Sequence, residues 1–162
     1  MKQIIALLSF LLFCTLASAQ VSFSKFKFIK DSPFGCCPGR KATDAKFEVT
    51  GSRMIKYVRV LYVGINQVGD AVSGQIAGAV NAGKEPTKNR ILNLTGPFEP
   101  GQSYSRWATA SFIYPMKITA FPLQITLIYK DGEEEVIGIT KDNLGTYFPR
   151  LKWMEVNMED GI

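Results

Sequence analysis

Short apolar segments, each closed by turn-forming residues, recur along the chain, and no long amphipathic helix interrupts them. The candidate strands are 21–29, 46–50, 55–65, 71–80, 90–94, 102–114, 122–130 and 133–140. Pro38-Gly39, residues 66–70 and 83–86, Gly96-Pro97, Pro100-Gly101 and Asp131-Gly132 punctuate them. The clearest hairpin joins 123–130 to 133–139: Leu123, Ile125, Leu127 and Tyr129 alternate with Gln124 and Thr126, and Asp131-Gly132 suits a tight type I′ turn. The segment 55–65 is apolar on both parities except at Lys56, Arg59 and Gly64, so it is expected as a central strand covered on both faces. The segment 71–80 carries Val72, Ile76 and Val80 at a spacing that fits a helix or one strand face. Gly74 and Gly78 disfavour the helix by about 1 kcal/mol each, so a strand paired with 55–65 is expected.

Seven to eight short antiparallel strands of this kind predict an all-β, two-sheet sandwich. It resembles the immunoglobulin and fibronectin type III domains in architecture only, because the Cys…Trp…Cys signature of antibody-like domains is absent.

The first residues read differently. Lys2 is followed by an apolar run over 4–16 and by Ala17-Ser18-Ala19, the pattern of a secretory signal cleaved after Ala19. Thirteen apolar residues fall short of the ~20 that span a bilayer. Residues 20–162 are then one exported domain, with no transmembrane segment after cleavage, at a bacterial periplasm, cell surface or outside the cell. Losing 19 residues, Lys2 among them, leaves 143 residues and lowers the net charge from +5 to +4. That charge is scattered, which argues against nucleic acid as a partner.

Histidine is missing altogether. There is no Ser/His/Asp or Cys/His nucleophile pair and no HExxH zinc helix, so cysteine and carboxylate are the remaining catalytic chemistries. Cys14 leaves with the signal, and Cys36 and Cys37 remain as neighbours in a Gly/Pro-rich loop. They can form a vicinal disulfide, which is strained because consecutive Cα atoms sit ~3.8 Å apart. They can also link two chains, hold a soft metal with Met54, Met116, Met154 or Met158, or stay as inert thiols. The acids Glu133, Glu134 and Glu135, with Glu155, Glu159 and Asp160, are the material for a His-free glycosidase, but one arm tip and one terminus share no evident cleft and read first as a solvated turn and tail.

Two further patterns concern surfaces. In 102–112, Tyr104, Ala108, Ala110 and Phe112 share one parity, while Ser103, Ser105, Thr109 and Ser111 share the other with Trp107. An indole among hydroxyls is a platform for a sugar ring or a protein partner, so Trp107, Ser105 and Thr109 are the candidate binding residues. In 22–30, Lys25, Lys27 and Lys30 interleave with Phe23, Phe26 and Phe28, as expected of an edge strand protected against unwanted pairing. Asn93-Leu94-Thr95 matches the glycosylation acceptor pattern.

The sequence therefore predicts an exported, non-catalytic module without a cofactor, contacting a protein or glycan at the cell envelope. The alternatives are a metal or redox protein built on Cys36 and Cys37 and, behind it, a His-free hydrolase.

Overall fold

The computed structural model describes residues 20–30, 40–72, 89–113 and 117–155. These form eight strands in two antiparallel sheets: β1 Val21–Lys30, β2 Arg40–Val49, β3 Ile55–Ile65, β4 Ala71–Val72, β5 Asn89–Phe98, β6 Ser103–Ile113, β7 Thr119–Tyr129 and β8 Glu134–Gly138. One short helix, α1 Leu144–Tyr147, follows. One sheet has the order β1-β2-β6. The other runs β4-β3-β7-β8, with β5 also paired to β3, and is curled into a half-barrel. The curl coincides with irregular register at Ile55/Tyr57 and Leu61/Tyr62, since a bulge bends and further twists its strand.

Both sheets feed one apolar cluster. Phe23, Phe26, Phe47 and Val49 come from the first, and Ile55, Val58, Val60, Leu92, Phe98, Ile125 and Leu127 from the second. β1 reaches this cluster through a bulge at Ser24: Phe23 pairs with Phe47 and Phe26 with Ala45, so both rings are buried while Lys25 and Lys27 stay exposed. Among the described residues β1 pairs only with β2, as the edge-strand expectation requires. Between the sheets, Thr43 of β2 and Tyr62 of β3, both buried, share a 2.7 Å hydroxyl hydrogen bond.

β3 is central, with β7 on one side and β5 then β4 on the other. Its coverage is uneven. Val63 and Ile65 are fully buried near Phe121, whose ring meets Trp153 edge-on at 5.5 Å, whereas Lys56 and Arg59 are exposed. The expected strand over 71–80 is corrected in part: only Ala71 and Val72 pair with β3, and residues 73–80 lie outside the described residues. β5 takes the rest of that edge. Val72 pairs with Gly64 and Asn89 with Val63, adjacent rungs of β3, so β4 and β5 lie along one line.

The β7–β8 turn also differs from the expected two-residue form. The Gly132 amide donates to the Tyr129 carbonyl (3.1 Å) and the Tyr129 amide to the Glu133 carbonyl (2.9 Å), closing a three-residue loop over 130–132. Gly132, at φ 90°, takes the left-handed position that such a loop demands.

Candidate functional site

The face predicted from sequence is built by β6 against β2. Ser103 pairs with Glu48, Ser105 with Lys46, Trp107 with Asp44 and Thr109 with Ala42. Ser103, Ser105, Lys46 and Glu48 are exposed, so the open end of this face lies there. Towards Thr109 it closes: Ala42 is fully buried, and Asp44 is ion-paired with Lys25 and only 13 % exposed. The side chains of Trp107 and Thr109 lie outside what the structure describes, as do Cys36 and Cys37. Of the three candidate binding residues, Ser105 alone is placed as an exposed side chain.

A second surface lies at the end where β2 passes to β3, β5 to β6 and β7 to β8. Backbone hydrogen bonds tie these connections together: the Gly101 amide donates to the Val49 carbonyl (2.8 Å), and the Lys130 amide to the Met54 carbonyl (3.2 Å). Here Met54, Lys56, Tyr57, Thr95, Gly96, Pro97 and Lys130 line a groove of 660 Å³. Tyr57 pairs across the ladder with Thr95, which sets ring and hydroxyl side by side. Lys56, the residue skipped at the register irregularity, holds its ammonium 5.2 Å from the centre of the Tyr57 ring. A hollow of 470 Å³ beside Arg53, Tyr129 and Asp131 shares Met54 and Lys130 with this groove. Apolar floor, cationic rim and the hydroxyls of Tyr57 and Thr95 are the makings of a binding surface.

Arg53 fixes the wall of that hollow. Its guanidinium stands 3.8 Å from the centroid of the Tyr129 ring and donates to Asp131 and Glu133 at 2.8 Å each. These bonds, to Glu133 first and Asp131 second, hold Arg53 above its usual value. Burial raises the Tyr129 hydroxyl, helped by its hydrogen bond to Glu135. Asp131 is held below the ordinary carboxylate value by the Glu133 amide and then by Arg53. That contribution is present above the unfolded carboxylate value of about 3.9 and is lost as pH falls through the lower folded value. Asp131→Asn should therefore flatten the acid limb of a melting-temperature profile between pH 2 and 6. The effect is small, because the pair is exposed to solvent. An unchanged acid limb would deny Asp131 this role.

The carboxylates named from sequence are not brought together. Glu133 is bound to Arg53, Glu135 accepts from Tyr129, and Glu134 is exposed on β8. The Glu155 carbonyl lies beside Gly69, past the other end of β3, and Glu159 and Asp160 lie outside the described residues. Among the described residues no three Cys, Asp or Glu side chains meet in a metal-binding group. No helix among them is long and apolar enough to cross a membrane. Met54 lines the groove, whereas Met154 packs at the margin of the core.

Sequence reasoning missed the groove because residues 53–57, 95–97 and 130 meet only through the strand order β5-β3-β7. Lys56 was visible merely as a polar break in an apolar run. Set beside known proteins, the chain matches no protein-family model and no curated protein.

Proposed function

We propose that this chain is an exported, non-catalytic binding module, a two-sheet sandwich of the immunoglobulin or fibronectin type III kind that contacts a protein or glycan partner at the cell envelope. The observation that carries the binding reading is the groove of Met54, Tyr57 and Pro97 between Lys56 and Lys130. An apolar platform with a few polar groups at its margin is what a peptide or a sugar ring requires. The sandwich reading is supported by one core drawn from both sheets and by strand order. Counting β4 and β5 as one interrupted strand leaves seven, and the chain passes between sheets at β2–β3, β5–β6 and β6–β7. The non-catalytic reading draws support from Glu133 and Glu135, whose carboxylates are engaged by Arg53 and Tyr129. Export rests on the pattern of residues 1–19.

The open end of the β2–β6 face, with exposed Ser105 and Lys46 beside the Trp107–Asp44 pair, favours a second contact surface. Glycan and peptide arrays probed with wild type, Tyr57→Ala and Trp107→Ala test both surfaces. A roughly tenfold or larger loss of signal is expected for the variant that removes the true platform, as for a buried aromatic anchor. Equal signals from all three proteins would overturn the binding reading. Intact mass of the exported protein should begin at Gln20, and retention of residues 1–19 would overturn the localisation.

A further inference from the structure

We propose that the groove at Tyr57 takes an extended acidic peptide from a partner protein, laid along the edge of β5 that no described strand pairs, with its carboxylates on Lys56 and Lys130. This rests on the reading of the chain as a binding module and names the ligand of that module.

Charge comes first. Neither Lys56 nor Lys130 has a carboxylate within ion-pair distance among the described residues. The adjacent acids Asp131 and Glu133 are engaged by Arg53 instead. Glu134 is the acid on the groove's own face. It pairs with Ile128, the neighbour of Tyr57, so it sits two strands away, roughly 10 Å at ordinary strand spacing. Two uncompensated ammonium groups therefore flank an apolar floor, and an anionic ligand with apolar side chains complements them.

The edge comes second. Thr95, Gly96 and Pro97 belong to β5, a ten-residue strand that pairs only with β3 among the described residues. Other edges carry protection: β1 has a bulge and exposed Lys25 and Lys27, while β8 has five residues and an exposed Glu134. β5 is broken at its groove end by Gly96-Pro97, where its register with β3 shifts. The added strand therefore pairs along 91–95, where the exposed Ile91, Asn93 and Thr95 are uncharged and Ile91 is 60 % exposed. Such an edge offers main-chain hydrogen bonds to an added strand. A neutral sugar is served less well, because it offers no counter-charge to Lys56 or Lys130.

The test uses the full exported chain and a fluorescein-labelled Glu-Val-Glu-Leu-Glu peptide, followed by fluorescence anisotropy. Saturable binding that weakens with added salt is expected. Lys56→Glu/Lys130→Glu should bind about tenfold more weakly, the sum of two lost and reversed surface charges. The charge-matched control Lys141→Glu/Lys152→Glu, made at exposed sites outside the groove, should bind as wild type. An N-methylated form of the peptide should also bind more weakly, because edge pairing needs its amides. Wild-type affinity in the Lys56→Glu/Lys130→Glu protein would overturn the proposal. So would tight binding of an acidic oligosaccharide with none of the peptide. If Tyr57→Ala alters array binding while the acidic peptide is ignored, the module reading survives and the acidic peptide is excluded.

Discussion

Phe148→Ala should lower the free energy of unfolding by about 3–5 kcal/mol, the range for truncating a fully buried phenylalanine. Urea denaturation followed by tryptophan fluorescence measures it. Phe148 follows the four-residue helix α1 and is fully buried. Its ring stacks on Phe23 at 4.8 Å and meets Phe26 nearly edge-on at 5.3 Å. It therefore plugs the core from outside both sheets, held by its amide's 2.7 Å bond to the Leu144 carbonyl. Asn143 sets the entry to that turn: its side chain accepts from the Thr140 amide and donates to the Gly138 carbonyl, 2.8 Å each. A typical domain has about 5–15 kcal/mol in total, so this one ring accounts for a large share of it. A loss below about 1 kcal/mol would mean that α1 is a passive appendage.

The second large effect is expected at the hydroxyl pair joining the sheets. Thr43→Val removes one partner and leaves the Tyr62 hydroxyl buried without it, at a cost of about 1–3 kcal/mol. Tyr62→Phe should cost a similar amount by orphaning Thr43. The double variant replaces both groups by apolar ones of like shape and should recover much of the loss, a coupling visible in a double-mutant cycle. Strict additivity would show that the two hydroxyls do not depend on each other. The buried Tyr62 hydroxyl has a pH signature. Burial raises the Tyr62 hydroxyl above its ordinary value, although the bond to Thr43 works the other way. The stabilisation is full below the unfolded tyrosine value of about 10 and is lost as pH rises through the higher folded value. Tyr62→Phe should accordingly reduce alkaline destabilisation.

How far the sequence could be read depended on whether a feature is local. β7 and β8 announce themselves through the alternation from Leu123 to Tyr129 and the following Asp131-Gly132, and the lysine-studded edge strand β1 through Lys25 and Lys27. Even there, a hydrogen bond from the Gly132 amide to Tyr129 decided a loop one residue longer than the type I′ expectation. Pairing across the chain was harder to see. The apolar parity of 71–80 suggested a continuous partner for β3, yet along most of that edge of β3 the partner is β5, drawn from beyond residue 88. The groove needed two strand pairings, β3 with β5 and β3 with β7, to exist, and none of Lys56, Pro97 or Lys130 stands out alone. By contrast, the parity that placed Ser103 and Ser105 on an exposed face needed only the alternation of one strand.

Adjacent rungs on β3 are filled by Val72 and Asn89, although sixteen residues separate them in the chain. The ladder registers this connection as a seam no wider than one residue. Its length is thereby uncoupled from the geometry of the sheet, because both of its ends are fixed by their own rungs. The seam is a natural graft point, where an epitope or a reporter peptide can be spliced into the chain without resetting the pairing of any described strand.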